Sequence, residues 1–330
     1  MTLLSSVHLE VDVQPGKPPT LHLEPEGEPE SWMAVHRDSV RAIVADHGSV
    51  LIRGLRLSDE TVVAAVYHTL ADVTMPEIEA LSPRQEYSER VYSSMTWPQH
   101  QQMCMHHELS YVLEPPGLML FSCLEAPMSG GATTVADSSA VLDALPAELR
   151  ERFERKGWML TRNYNDEVGA SLAEAFGTED RSTVESYCRA NAIEFEWRGD
   201  ALRTKQVRSA VLDHPSTGHR SWFNQIAFLN GWTLAPEVRE FLLEEYGELP
   251  FDTCFGDGEP IGEDVVLEIN EAYEQNTARE SWQNGDLLIV DNVRTAHGRE
   301  SYEGPREVVV AMADPVRTVG RTPAGRGADG

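Results

Sequence analysis

Two histidines stand side by side before a glutamate in the stretch CMHHELSY, residues 104–111. In extended chain, residues i and i+2 point the same way. His106 and Glu108 would then share one face, with His107 on the other. A His-x-Glu pair supplies two-thirds of a 2-His-1-carboxylate set, which grips iron(II) on one side and leaves coordination positions open. The best third ligand is His297, in GDLLIVDNVRTAHGRESYEGPRE, because it follows a β-rich run near the end of the chain. A ligand so far along the chain suits a closed sheet whose first and last core strands are neighbours. A bare His-x-Glu also arises by chance, and most of the eleven histidines belong on a surface. The surrounding residues must therefore decide.

Other chemistries lack their residues. His107-Glu108 would begin the zinc-protease pattern H-E-x-x-H, but position 111 is Tyr. There is no phosphate-binding G-x-x-x-x-G-K-[ST], no G-x-G-x-x-G opening a helix and no G-x-S-x-G elbow. The four cysteines never form C-x-x-C, so they read as buried free thiols in a reducing cytoplasm. Asp and Glu number 54 against 27 Lys and Arg, for a net charge of −27. Such a surface repels nucleic acid and anionic lipid, so neither is expected as a partner. No run of 18 apolar residues is present, and the first residues lack a basic n-region. A cytoplasmic protein acting on a small molecule is the expectation.

The elements that must position the three ligands are legible in part. Residues 7–23 alternate around a Pro/Gly turn and suggest a small hairpin. A helix over 35–47 stops near Gly48, and the strand SVLIRGL follows. Ser58 or Asp59 caps the next helix. GLMLFSCLEAP and GATTVADS read as strands joined by a Gly-Gly turn, and Pro146 and Gly157 bracket a further helix. Helical segments recur near 168–176, 181–191, 236–246 and 264–276, before two strongly β runs, GDLLIVDN and REVVVAMADP. Strands at both ends with helices between them indicate α+β built on a β core. The expected organisation is one domain over 1–330, with a helical insert over about 140–280 and a disordered tail over about 318–330.

Two blocks carry a family resemblance. MHHELSY…GLMLFSCLEAPMSGGATTVADSSAVLDAL and WQNGDLLIVDNVRTAHGRESYEGPREVVVAM resemble the TauD/TfdA (taurine dioxygenase) superfamily of iron(II)/2-oxoglutarate oxygenases. The nearest branch is that of the clavaminate-synthase-like and SyrP-like amino-acid hydroxylases. SVLIRGL and the SWFNQ at 221–225 also match, so the likeness runs from about residue 40 to 314.

The resemblance implies a double-stranded β-helix (jelly-roll) core with flanking helices. It implies His106, Glu108 and His297 as iron(II) ligands, with 2-oxoglutarate and O2 as cosubstrates. It also implies that Arg306, with Thr133 of the GGAT turn, holds the far carboxylate of 2-oxoglutarate. Arg299 is the rival for that arginine. Glu108 fills a metal position, which argues against a halogenase. The substrate implied is an amino acid, free or held on a carrier protein, in a specialised-metabolite pathway. Asn163, Asn224, Arg162 and Arg294 are the candidates for contacting it, and hydroxylation, desaturation or cyclisation are the open outcomes. A zinc-dependent hydrolase using the same three ligands and a non-catalytic relative are the rival readings. His107 and Cys104 read as packing residues, and Asp291-Asn292 as ties at a strand end.

Overall fold

The computed structural model describes residues 9–24, 27–82, 84–164 and 169–318. A seven-stranded sheet runs in the order Thr20–His22, Ser49–Arg53, Leu287–Asp291, Pro116–Glu125, Glu307–Pro315, Val91–Ser93, Glu86–Ser88. Its central strands bury both faces, which explains their nearly continuous apolar runs. Along Pro116–Glu125, Leu118 and Leu120 point outward, while Met119, Phe121 and Cys123 point into the main core. Along Glu307–Pro315, Val309 and Ala311 point outward, and Val308, Val310 and Met312 inward.

The helices Pro29–His47 and Glu60–Leu70 cover the outer face through Met33, Val40, Val44, Val63, Val66 and Tyr67. The first begins at Pro29, six residues before the expected start, and ends at Gly48 with φ 82°. Asp59 caps the second by accepting from the N–H groups of Thr61 and Val62, each at 3.0 Å.

A smaller sheet faces the inner side, in the order Thr277–Ala278, Thr133–Asp137, Thr295–Arg299, Met103–His106. The two sheets form the jelly-roll core of an α+β protein. Pro116–Glu125 and Thr133–Asp137, expected as strands joined by a Gly-Gly turn, lie in different sheets, and between them Ser129–Gly130 pairs as a short strand with Tyr302–Glu303.

Two expectations need correction. The segment 140–280 is not a helical insert alone. It also forms a four-stranded antiparallel sheet, Ile193–Arg198, Ala201–Arg208, Trp158–Tyr164, Phe251–Phe255. Its hairpin turns at Gly199-Asp200, with Gly199 at φ 66°, a turn chemistry that joins alternating strands. The hairpin over 7–23 shrinks, within the described residues, to one antiparallel bridge between Asp12 and Thr20. Pro15, Pro18 and Pro19 remove the donors a longer ladder needs, and Thr20–His22 pairs in parallel with Ser49–Arg53 instead. The expected tail lies outside the described residues apart from Thr318, whose N–H donates to Leu113 O at 3.0 Å.

Candidate metal and cosubstrate site

His106 and His297 are register partners across an antiparallel strand pair. The strand carrying His106 ends there, so Glu108 does not reach the site by strand alternation. It lies in a turn that includes Leu109 at φ 51°, and the turn swings its carboxylate back over the imidazoles. Glu108 Oε2 lies 3.9 Å from His106 Nε2 and 3.6 Å from His297 Nε2. One ligand atom of each residue lies within 4.8 Å of the others, and all three residues are buried.

The donor set suits a divalent metal. His106 Nδ1 sits 2.9 Å from Cys104 O, a carbonyl that can only accept, so Nδ1 carries the proton and the Nε2 lone pair is free. Phe228 stacks on the His106 ring with centroids 4.3 Å apart, and Phe121 packs 4.9 Å from His297. Burial, together with the neighbouring His297, pushes the His106 imidazole down to about 3, which keeps it neutral. Burial would raise the Glu108 carboxyl, but Arg84 and the two imidazoles outweigh it and hold the group well below the usual carboxylate range. Neutral imidazoles and an ionised carboxylate are the forms that bind metal.

A tight hydrogen-bond set holds the ligand turn. Asn292, fully buried, accepts from Glu108 N at 2.8 Å and donates to Glu108 O and Pro116 O at 3.0 and 2.8 Å. His107 donates from Nδ1 to Asn292 O at 2.5 Å and accepts at Nε2 from Ser138 Oγ at 2.9 Å. Both ring nitrogens are thus spent on structure. Gly298 lets the strands close behind His297, because a Cβ there would come within 2.8 Å of Met103 O.

His106, Glu108 and His297 line a cavity of about 40 Å³ that Thr133, Arg306 and Arg84 also line. Arg306 donates from Nε to Gly131 O at 2.9 Å, and its Nη2 lies 3.4 Å from Thr133 Oγ1. Among the described residues no carboxylate pairs with it. Burial, with Arg299 adding to the effect, pulls its guanidinium down to about 10. A buried cationic fork without an anion fits a carboxylate guest. Arg299, the rival, lines the same cavity but donates to four carbonyls, those of Glu300, Trp97, Pro98 and Gln101.

Four further candidates do not line this cavity. Arg162 donates to Glu79 O and Ala80 O. Asn163 lies in the second antiparallel sheet and donates to Leu249 O. Asn224 donates to Ala210 O, and its own carbonyl accepts from His107 N, so it braces the ligand turn. Arg294 donates to Ala45 O and Asp46 O at the end of the first helix and pairs with Asp137. Sequence reasoning missed Arg84, whose Nη2 lies 3.1 Å from Glu108 Oε1. It stands in a short irregular segment outside every motif.

The chain is similar to known proteins over most of its length. The model of the family described as taurine catabolism dioxygenase TauD, TfdA family matches residues 14–312. This chain belongs to the TauD/TfdA dioxygenase family. The dapdiamide synthesis protein DdaC of Enterobacter agglomerans is 36% identical over 277 residues, covering 83% of this chain and 84% of that one. A clavaminate synthase-like protein of Arabidopsis thaliana is 24% identical over 283 residues, covering 82% and 83%. Among solved structures, PvcB of Pseudomonas aeruginosa shares the fold with TM-score 0.53 at 16% identity, covering 92% and 89%. Among the described residues, no helix is long and apolar enough to cross a membrane. Membership of this family makes the chain an enzyme acting on a small molecule.

Proposed function

We propose that this protein is an iron(II)- and 2-oxoglutarate-dependent oxygenase that hydroxylates an unactivated C–H bond of an amino acid or an amino-acid-derived intermediate in specialised metabolism. The observation that carries the reading is the meeting of His106, Glu108 and His297 in one cavity with the anion-free Arg306. DdaC, a dapdiamide synthesis protein, and PvcB, an oxygenase from an isonitrile synthetic pathway, support the biosynthetic setting by likeness.

Bound iron(II) supplies the coupling of O2 reduction and 2-oxoglutarate decarboxylation to oxidation of the substrate. His106, His297 and Glu108 would hold the metal through their imidazole nitrogens and carboxylate. Arg306 and Thr133 anchor the far carboxylate of 2-oxoglutarate. Phe121, Val308 and Val310 line the same cavity and keep it dry. The core cluster runs without a break from Phe121 and Val135 through Trp158 and Phe255 to Ile269, which supports reading 1–330 as one oxygenase domain. The acidic surface opposes nucleic acid, anionic membrane and an acidic carrier protein alike. Like charges thus favour a free substrate over one held on an acidic carrier protein.

Anaerobic addition of iron(II) and 2-oxoglutarate should produce the weak metal-to-ligand charge-transfer band of the chelate, and O2 should then yield succinate. His297→Ala should lose both. Full succinate production by that variant would show the ligand set to be wrong.

A further inference from the structure

Arg84 sits between two acids beside the metal cavity, with a side chain only 3% exposed. On one side its Nε faces Glu77 Oε1 at 3.2 Å. On the other, Nη2 donates to Glu108 Oε1 at 3.1 Å. The two oxygens of Glu108 therefore have different surroundings. Oε1 is taken by the guanidinium. Oε2 faces the histidines, 3.9 Å from His106 Nε2 and 3.6 Å from His297 Nε2. Asn292 fixes the backbone of Glu108 but bonds only its N–H and carbonyl. Among the described residues, Arg84 is the only arginine or lysine paired with the carboxylate itself.

Carboxylates bind metal ions through one oxygen or through both. A charge-assisted hydrogen bond to one oxygen is strong and directional, so it decides between the two. Turning Oε1 onto a metal would break that bond and strip a buried cation of a partner, which is costly. Given the oxygenase reading on which this rests, we propose that Arg84 is a positioning residue that holds Glu108 to coordination through Oε2 alone, and so keeps open a metal position that a two-oxygen carboxylate would occupy. A 2-His-1-carboxylate set serves an oxygenase through the positions it leaves free. The segment that carries Arg84 is itself pinned on both sides. Before it, Arg162 donates to Glu79 O and Ala80 O, and Glu77 N donates to Tyr92 OH. After it, Gln85 N donates to Ser93 Oγ at 3.0 Å and Gln85 O accepts from Ser93 N at 2.8 Å. The guanidinium is thus placed by the fold before any metal arrives.

The competing view is that Arg84 only supports the fold around Glu108. Infrared difference spectra separate the two views, taken as Co(II)-loaded minus metal-free protein, with the glutamate carboxyl groups isotopically labelled. The gap between the antisymmetric and symmetric carboxylate stretches is wide for one-oxygen coordination and narrow for two. The wild type should show the wide gap. Arg84→Met should lose it and show the narrow one, and Arg84→Lys, which keeps a charged donor, should retain the wide gap. If Arg84→Met does not fold, Arg84→Gln, whose shorter amide falls short of Oε1, takes its place. A narrow gap in the wild type overturns the proposal. So does a variant that loses melting temperature or Co(II) affinity while its gap stays wide. If Co(II) moves no labelled carboxylate band in the wild type, Glu108 is not a metal ligand, and the oxygenase reading falls instead.

Discussion

Replacing Asn292 by alanine should damage both stability and metal affinity, although Asn292 touches no metal position. Its side-chain amide is fully buried and satisfies three backbone groups: Glu108 N, Glu108 O and Pro116 O. The alanine variant leaves all three buried without partners. Each orphaned group costs about 1–3 kcal/mol, and partial relaxation should bring the total to about 3–5 kcal/mol. The Glu108 backbone also loses the contact that sets the direction of its carboxylate. Loss of such a supporting hydrogen bond typically lowers metal affinity by about 10- to 100-fold, or about 1.4–2.8 kcal/mol. Urea unfolding of the metal-free protein measures the first quantity, and titration with Co(II) or Mn(II) the second. The two must agree with a third: at fixed excess metal, the extra stability that metal confers should shrink by the same 1.4–2.8 kcal/mol. Asn163→Ala, in the second sheet, serves as the control and should leave metal affinity unchanged. A variant at position 292 within about 1 kcal/mol of wild type and with unaltered metal affinity would refute the reasoning.

Further outcomes follow from the same contacts. Arg306→Gln should weaken 2-oxoglutarate by at least about thirtyfold, since truncating a buried charge partner costs about 2–5 kcal/mol; Thr133→Ala should weaken it about fivefold, both read by anaerobic titration of the charge-transfer band. Arg299→Gln should destabilise the fold by about 2–4 kcal/mol through its lost carbonyl contacts while changing 2-oxoglutarate affinity by less than about threefold, measured by unfolding and the same titration. Gly131→Ala forces a side chain onto φ 71° and sets a Cβ 2.8 Å from Pro127 Cγ and 3.2 Å from Arg306 Cδ, so 2-oxoglutarate binding should weaken and the melting temperature fall. Protons compete with metal only where they bind the ligand. His106 titrates near 3, so it should add no pH dependence to metal affinity above about pH 5, and a slope near two protons per metal between pH 5 and 6.5 would contradict this.

What could be read from the sequence divides along physical lines. The pair His106 and His297 could be suggested because both segments run β and a closed sheet can bring its first and last core strands together. The route of Glu108 could not. Strand alternation placed Glu108 beside His106, but the strand ends at His106 and a turn through Leu109 completes the approach. The antiparallel sheet inside 140–280 left a signal in IEFEWRGDALRTKQVR, an alternating pattern around Gly199-Asp200, that competed with the stronger helical periodicity on either side. Arginine is the sharper case. Arg162, Arg294, Arg299 and Arg306 look alike in a sequence, and their roles differ only by what accepts from them. Arg162 and Arg299 end on backbone carbonyls, and Arg294 on carbonyls and Asp137, so each fastens a loop or helix end. Arg306 lines the cavity with no carboxylate partner among the described residues, and the unforeseen Arg84 pairs with Glu77 and Glu108. A buried guanidinium tied to backbone is part of the fold's own hydrogen-bond completion, whereas one left incomplete beside a reactive centre is a vacancy for an anion. That distinction rests on acceptors contributed by segments far away in the chain, so it emerges only when the fold is formed.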